Sequence, residues 1–595
     1  MHSVALLIAF LAASTTRPEA KPVWIVVGPK DLVAAAAPLV ALRQEQEMRT
    51  VVSSAGVEAA IAAAPARPDF LLLIGDETEA PGSEPWRLTS KRRRLYRWRT
   101  EQRETYLADL LWGDVDGDGA PDFPVGRIPA RTPREVETVV RKIVAYERGL
   151  PQINDLRLLG WAGSAQYGPP IDQMAGNLGV TMVERCAPRW SEPWLLVGTR
   201  GHPFCGWPVD QPAAFTGQWQ RGAALAVLMG HGNEMLFSSI EEDGLNVVYQ
   251  ASDARALEIG QEPCAPLVVL ACSAGNFAYR TRCMAESFLL MPGGPVATIG
   301  ATTESHPLAN YYTAVGLIAQ MGGTERRLGP LWLNAQRQAA KAHDPAMEFL
   351  LKNVEGKLEP NINIANVKRD QVLMYAILGD PATRLRLPEA LEARVRPTAA
   401  GWEWEADHPA GARTLAAGLR VPAPPTPASQ AAATREAANR LLAAANARYA
   451  FKPVPFTDDG RTWRGTVTEP GLLRLVAMGP GILRVATLSQ RLRASIARAN
   501  KAAVFAPADG VRADYTLRLE LEEFSQVFDT ADKSRAVVRL RASLIRNRGI
   551  VVQQSFGIER ASATPNAEGG VQALIAASDE AGNSLIDWLA ANMKK

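Results

Sequence analysis

The sequence has almost no excess of charge of either sign. Its 595 residues include 65 Lys and Arg against 62 Asp and Glu, a formal net charge of +3. A near-neutral chain of this length lacks the overall basic surface of nucleic-acid-binding proteins, so we predict no nucleic-acid partner. With 47% apolar and 21% charged residues, the composition is that of a soluble globular protein and excludes a fibrous or wholly disordered chain.

Long apolar runs are also missing. No uninterrupted run reaches the roughly 18 residues that a membrane-spanning helix needs, so we predict no transmembrane segment. Residues 4–13 (VALLIAFLAA) are apolar and are followed by small residues, a pattern typical of a signal peptide over 1–20. We therefore expect an exported protein, periplasmic or secreted. The alternative is a buried first strand, since no Lys or Arg precedes the apolar run.

Cysteine and histidine are scarce, at five and six residues. The histidines show no metal-ligand spacing with one another or with the cysteines, so no zinc site is predicted. An odd number of cysteines means that, in an oxidising compartment, at least one cannot pair within the chain. The five are Cys186, Cys205, Cys264, Cys272 and Cys283.

Between residues 21 and 388, short apolar runs alternate with amphipathic helical patterns. Runs such as 70–76 (FLLLIGD), 224–232 (ALAVLMGHG) and 266–275 (PLVVLACSAG) are typical of strands buried on both faces. This alternation predicts an α/β domain with a mostly parallel sheet between helices. In such sheets ligands bind beyond the carboxyl ends of the strands, so we look for chemistry there.

Two of these strand ends carry reactive side chains. His231 follows one apolar strand between glycines, and Cys272 ends another. A thiol that attacks a carbonyl needs a proton acceptor and donor close by, and histidine can be both near neutral pH. The N–H groups of Gly232 and Cys272 could hold the oxyanion. A serine-hydrolase alternative built on Ser273 is disfavoured, because no G-x-S-x-G motif surrounds any serine.

Four separated blocks of the sequence match the pattern of a known protein family. They are residues 106–147 (from YLADLLWGDVDGDG to KIVAYE), the His-Gly strand end, the Ala-Cys strand end, and residues 375–387 (YAILGDPATRLRL). Together they resemble the gingipain-type cysteine peptidases, over most of 22–388. The resemblance implies a caspase-like α/β fold and endopeptidase activity through a thioester acyl-enzyme. It also implies Cys272 as nucleophile, His231 as catalytic histidine and Gly232 as an oxyanion contributor.

The family also places an acidic residue before the Asp-Gly block to orient the histidine. Glu104 and Asp109 both match, and Glu104 is favoured on spacing. Setting Cys272 aside as the nucleophile leaves four cysteines with three pairings. We favour Cys186 with Cys205 because they are close in sequence.

The Asp-rich stretch 113–122 (GDVDGDGAPD) allows three interpretations. Asp114, Asp116 and Asp118 alternate as in a calcium loop, although a full EF-hand is excluded because Val125 stands at the twelfth position. The stretch could hold a structural Ca²⁺ ion or form a plain Asp-Gly turn. Alternatively, Asp118 could line a pocket that selects Arg or Lys before the cut, as in some family members. The chemistry predicted for Cys272 and His231 requires no cofactor.

Residues 91–99 (KRRRLYRWR) hold six cations. They fit a solvated loop, a self-processing site of a protease with basic specificity, or a contact with anionic lipid or glycan.

After residue 388 the pattern changes to short strands with Gly and Pro turns. We predict a small β-sandwich over 389–487, with a helical insert at 428–448. We predict an α+β accessory domain over 488–595. Residues 514–590 resemble the auxiliary lipoprotein component of ABC-type lipid transport systems, which implies an envelope partner for this domain. The chain lacks that family's lipid-attachment cysteine near the N-terminus.

The sequence therefore predicts an exported cysteine endopeptidase acting on protein or peptide substrates, with a preference for Arg or Lys left open. The alternative is a non-catalytic envelope module, in which the peptidase fold serves a transport system as a binding scaffold.

Overall fold

The computed structural model describes residues 21–592 except 80–81, 97–103, 243, 260–261, 346–362, 399–400, 422–431, 470, 490–514, 531 and 547–548. The predicted signal peptide, 1–20, lies outside these residues. The described strands up to residue 388 are β1 (Val23–Val27), β2 (Arg49–Ser53), β3 (Phe70–Ile74), β4 (Arg92–Arg94), β5 (Thr105–Leu107), β6 (Val125–Ile128), β7 (Arg157–Ala162), β8 (Glu192–Val197), β9 (Leu225–Met229), β10 (His231–Gly232), β11 (Leu236–Glu242), β12 (Leu245–Gln250), β13 (Leu267–Leu270), β14 (Thr298–Ala301) and β15 (Tyr375–Leu378).

The helices described in the same region are α1 (Lys30–Ala34), α2 (Ala37–Glu45), α3 (Val57–Ala62), α4 (Pro133–Arg148), α5 (Pro169–Cys186), α6 (Gln211–Gln220), α7 (Ala256–Ile259), α8 (Met284–Leu290), α9 (Pro307–Gln320), α10 (Leu328–Lys341) and α11 (Ile364–Met374). Local chemistry defines their ends. At α4, for example, the Thr132 hydroxyl accepts from the N–H of Glu135, whose carboxylate accepts from the N–H of Thr132.

Ten of these strands form one sheet in the order β2-β1-β3-β6-β15-β14-β13-β9-β7-β8. Successive side chains of its strands enter different cores: Ile25 and Leu71 pack on one side, Val26 and Leu72 on the other. The sheet is therefore buried on both faces between helices, which confirms the predicted α/β caspase-like architecture and explains the nearly continuous apolar runs.

The sheet consists of two parallel halves that run in opposite directions. Strands β1, β2, β3, β6 and β15 are mutually parallel, as are β7, β8, β9, β13 and β14, and the halves meet at the antiparallel pair β14–β15. The carboxyl ends of one half thus share an edge with the amino ends of the other. Residues 109–124, which precede β6, lie at the edge where β9 and β13 end.

The described chain from 389 to 489 forms two packed sheets and one helix, which confirms the predicted β-sandwich. The elements are β16 (Glu389–Ala390), β17 (Ala393–Thr398), β18 (Gly401–Asp407), β19 (Thr414–Arg420), α12 (Arg435–Ala447), β20 (Lys452–Pro453), β21 (Phe456–Asp458), β22 (Thr462–Val467), β23 (Leu472–Gly479) and β24 (Ile482–Ser489). The sheets, β16-β24-β23-β19-β20 and β17-β18-β22-β21, enclose a core that includes Trp404, Trp463 and Leu475.

Helix α12 covers the edge of the ten-stranded sheet. The Asn446 side chain accepts from the N–H of Leu195 at 2.7 Å and donates to its carbonyl at 3.0 Å. An unpaired edge strand is a site for unwanted strand pairing, and Asn446 occupies the N–H and the carbonyl of Leu195 in β8. The predicted boundary at 388 falls just before β16 and the one at 487 falls within β24; a division into domains at these positions stays a prediction.

The last described elements are β25 (Thr516–Thr530), β26 (Lys533–Arg546), β27 (Gly549–Ala561) and α13 (Ala567–Asn592). The three strands form an antiparallel sheet, and Ala573, Ala577 and Ala581 of α13 pack against it beside Ala536 and Val538. This agrees with the predicted α+β architecture. Among the helices of the described residues, none combines the length and apolarity needed to cross a bilayer.

The predicted disulfide between Cys186 and Cys205 is absent, because none of the five cysteines forms a disulfide. Cys264 and Cys283 belong to different cores, and Cys205 lies in a third cluster with Ile240 and Val247. The cysteines are separated by the fold, so the odd number does not by itself single out Cys272.

Candidate active site

The fold brings His231 and Cys272 to one level at one edge of the sheet. Strands β9 and β13 are parallel neighbours, with Met229 opposite Leu270. His231 and Cys272 each lie two residues beyond that pair. Two reactive groups separated by 41 positions in the sequence thus leave adjacent strands side by side.

Cys272 lies in a sharp turn. The next residue, Ser273, has φ +54°, in the left-handed region that non-glycine residues rarely adopt. Its N–H donates to the carbonyl of Thr303 at 2.9 Å, which ties the turn to the chain following β14. The half-buried Cys272 thiol donates to the carbonyl of Ser305, with 3.6 Å from Sγ to the oxygen. The backbone therefore turns sharply immediately after the cysteine, just beyond the end of β13.

The exposed His231 ring is held by a backbone group. Its Nε2 lies 3.3 Å from the carbonyl oxygen of Ala165, in the loop after β7. Because a carbonyl only accepts, Nε2 carries the hydrogen in this arrangement. In the neutral ring Nδ1 is then the nitrogen able to accept a proton.

Two features fit the oxyanion role predicted for the backbone. A Cβ atom on Gly232 would lie 2.8 Å from the carbonyl oxygen of Leu236 and 3.0 Å from Cβ of Ala271, so a side chain there would collide with its neighbours. Among the residues that the structure describes, none accepts a hydrogen bond from the N–H of Cys272. That donor is available for a substrate oxygen.

The two carboxylates considered for orienting His231 differ sharply. Asp109 is buried and forms a bidentate ion pair with Arg127 of β6, at 2.6 Å to Nε and 3.0 Å to Nη2. This pairing gives Asp109 a structural role, because its carboxylate is already bound to Arg127. Glu104 is exposed beside β5, and its backbone carbonyl accepts from Leu95. Its role toward His231 stays a prediction, since the ring nitrogen contacts Ala165.

The Asp-rich loop folds around its own carboxylates. Asp114 accepts from the N–H groups of Gly117 and Gly119, and Asp118 accepts from Ala120 at 2.7 Å. Carboxylate oxygens of Asp114, Asp116 and Asp122 lie within 4.8 Å of one another, so Asp122 takes the position that the alternating pattern gave to Asp118. Oxygen ligands of this kind suit Ca²⁺, and the calcium site stays a prediction.

The basic run 91–99 is partly described. Arg92–Arg94 form β4, which pairs with β5, and Lys91 lies over the Trp112 ring at 4.5 Å. Residues 97–99 lie outside the described chain. The self-processing and anion-contact interpretations stay predictions.

Sequence reasoning missed two contacts of the site, Ala165 and Ser305. Ala165 acts through its carbonyl, which leaves no signal in residue type. Ser305 follows β14, whose GATT end is a third small-residue strand terminus. That terminus, next to the Cys272 strand in the sheet, is the signal that could have identified it.

Comparisons with known proteins place this site in a family. A family model, peptidase family C25, matches residues 17–386, well over half of the chain. The chain belongs to peptidase family C25. This confirms the gingipain-type resemblance, and the roles of Cys272 and His231 stay predictions.

Among curated relatives of this C25 protein, Lys-gingipain from Porphyromonas gingivalis is 25% identical over 268 residues. The match covers 44% of this chain and 13% of Lys-gingipain, so the chain spans only a small part of that relative's length. Two solved structures are also similar. Arg-specific gingipain R has 14% identity, TM-score 0.46, and coverage of 79% of this chain and 98% of its own. The Porphyromonas gingivalis complex of RgpB pro- and mature domains has 15% identity, TM-score 0.45, and coverage of 78% and 99%.

Proposed function

We propose that this C25 family member is an exported cysteine endopeptidase in which Cys272 is the nucleophile and His231 the acid–base. The observation that carries the proposal is the position of these two residues, side by side beyond neighbouring parallel strands of the family's sheet. The free thiol, the sharp turn at Ser273 and the tautomer of His231 all support it.

The proposed reaction proceeds through a thioester. Nδ1 of His231 takes the thiol proton while Sγ of Cys272 attacks the scissile carbonyl carbon. The N–H groups of Gly232 and Cys272 hold the oxyanion. His231 then gives its proton to the leaving amine, the C–N bond breaks, and an acyl-enzyme forms. Water, losing a proton to His231, attacks the thioester and restores the thiol as the C–S bond breaks.

In the structure, each side chain of the dyad contacts a backbone carbonyl. The Cys272 thiol donates to Ser305 and the His231 ring donates to Ala165, and the two side chains are not hydrogen-bonded to each other. The His231 tautomer set by Ala165 already presents a basic Nδ1. We expect this backbone contact to perform the orienting task assigned to a carboxylate, with Glu104 a further contributor.

A preference for Arg or Lys before the cut is part of the proposal. The Asp loop lies at the same sheet edge as Cys272 because the two halves of the sheet run in opposite directions. Asp118 is exposed there, and a carboxylate facing the substrate side chain would favour a cation.

A peptide library tests both activity and preference. With each residue fixed in turn before the scissile bond, wild type should cut after Arg or Lys, and Cys272→Ala should not cut. Asp118→Asn should lose the preference for Arg or Lys while it continues to cut peptides with other residues before the scissile bond. Cleavage after Leu or Gly alone would remove the role of Asp118, and cleavage by Cys272→Ala would refute the proposed nucleophile.

We also propose that residues 488–595 contact a partner in the cell envelope. The support is an apolar row on β25, where Leu521, Phe524 and Phe528 are each at least half exposed, at 51%, 53% and 56%.

A further inference from the structure

A buried, uncharged polar group lies behind the sulfur of Cys272. Ser305, Asn310, Gln371 and Tyr375 are all at most 4% exposed. Sγ of Cys272 lies 3.6 Å from the carbonyl oxygen of Ser305 and 4.0 Å from its hydroxyl. Hydrogen bonds through Asn310 link these buried polar side chains to one another, which limits their freedom to move and defines where the sulfur rests.

The hydrogen bonds of Asn310 fix its orientation. Its Nδ2 donates to the hydroxyl of Ser305 at 2.9 Å and to the carbonyl of Leu270 at 3.4 Å. Its Oδ1 accepts from the Tyr375 hydroxyl at 2.7 Å and from Gln371 at 2.8 Å. A flipped amide would place donors against donors and an oxygen against a carbonyl, so only this orientation satisfies all four contacts.

The fixed amide directs the hydroxyl proton of Ser305. Since Ser305 Oγ accepts from Asn310, its own hydrogen must point elsewhere, toward Cys272 or Tyr375. Burial raises the pKa of the Tyr375 phenol well above its ordinary value, so that group stays protonated and donates to Asn310. A thiolate at Cys272 is then the anion that the Ser305 hydroxyl can reach.

The dipole of helix α9 also favours a thiolate at Cys272. The helix begins at Pro307, two residues after Ser305, with His306 as N-cap, whose Nδ1 accepts from the N–H of Leu308 at 3.2 Å. The positive end of a helix dipole stabilises a nearby anion, and cysteines at helix N-termini form thiolates more readily.

We propose that Ser305 and Asn310 are positioning residues for the nucleophile: Asn310 aligns the Ser305 hydroxyl so that it donates to the Cys272 thiolate as the thiolate forms. In the resting thiol the Ser305 carbonyl accepts from sulfur, and on ionisation the hydroxyl replaces that contact. The importance of the Ser305 hydroxyl for peptide cleavage rests on the proposed function. Its effect on the reactivity of the Cys272 thiol does not depend on that function. Titratable groups near Cys272 include His231 beyond β9, Tyr375 of β15 and His306 at α9.

Alkylation by iodoacetamide tests this without any substrate. The rate at Cys272 of the full chain is followed by peptide mass mapping between pH 6 and 9. Ser305→Ala should lower the rate at pH 7 about tenfold, the scale of one hydrogen bond to a charged group, and move the profile to higher pH. Ser305→Thr keeps the hydroxyl and should stay within about twofold of wild type.

Thr313→Val is the matched control. Thr313 is fully buried and contacts Gln371, but has no bond to Ser305 or Asn310. It should leave the alkylation profile unchanged. If Ser305→Ala fails to fold, Asn310→Ser replaces it with the same expectation. A profile unchanged by loss of the hydroxyl, or lowered equally by Thr313→Val, would overturn the proposal.

Failure of the positioning role can be distinguished from failure of the proposed peptidase function. If Ser305 controls alkylation but no peptide is cut, the positioning role stands and the endopeptidase fails. If peptides are cut while Ser305→Ala alkylates and cleaves like wild type, the positioning role alone fails.

Discussion

The two halves of the ten-stranded sheet organise polar groups in different ways. The half that contains β9, β13 and β14 ends at the active edge with Cys272, His231 and the amide–hydroxyl network of Ser305 and Asn310. The half that contains β6 and β15 buries charges. Arg127 pairs with Asp109, and Arg43 pairs with both Asp380 and Glu147 at 2.7 Å.

The buried ion pairs of Arg127 and Arg43 form a rigid structural frame, whereas the reactive groups lie at the active edge. Buried ion pairs hold one geometry firmly, because removal of either partner leaves an uncompensated charge. A nucleophile must change charge during a reaction, and neutral groups that can donate or accept allow this at low cost. We therefore expect substitutions of the buried ion pairs to act mainly on stability and substitutions at the active edge to act mainly on rate.

The largest expected effect is on rate. Cys272→Ala should lower peptide cleavage by at least about 10³-fold, and His231→Gln by about 10²- to 10⁴-fold. Neither should change thermal stability much, since both side chains lie at the edge. The contrast would break if either variant unfolded at a much lower temperature than wild type in calorimetry.

Next comes the buried pair of the frame. Arg127→Met leaves Asp109 buried and unpaired and should cost about 3–5 kcal/mol of unfolding free energy. Arg127→Met with Asp109→Leu should recover most of that loss, measured by urea denaturation. An Arg127→Met variant as stable as wild type would show that the pair is not part of the frame.

A smaller effect concerns pH. Burial lowers the pKa of His202, in the loop after β8, from 6.5 to about 4. The folded state binds fewer protons than the unfolded chain between these values, so stability is lost as pH falls from 6.5 to 4, by about 2–3 kcal/mol. His202→Asn should flatten that dependence. The exposed His343→Asn should not, and equal flattening by both would contradict this origin.

Much of the fold and the dyad could be predicted from the sequence. The apolar runs that end in GHG and CSAG predict strands buried on both faces, and each run places its reactive residue at the carboxyl end. His231 and Cys272 meet because these strands are parallel neighbours, which the strand-end rule anticipates.

Other features depend on long-range arrangement and leave no local signal. A buried apolar run looks the same in either direction, so the opposed halves, and with them the position of the Asp loop at the same sheet edge as Cys272, are not readable from the sequence. The carbonyl of Ala165 is a property of the backbone. The pairing of Cys186 with Cys205 failed because nearness in sequence does not imply nearness in the fold.

Active-site titration measures whether Cys272 is the reactive thiol of a peptidase. The native chain is treated with a peptidyl acyloxymethyl ketone at neutral pH, while label and residual cleavage are measured together. We expect one equivalent of label on Cys272 and a loss of cleavage in proportion to the labelled fraction. Label that appears on Cys272 only after denaturation, or cleavage that persists in fully labelled protein, would contradict it.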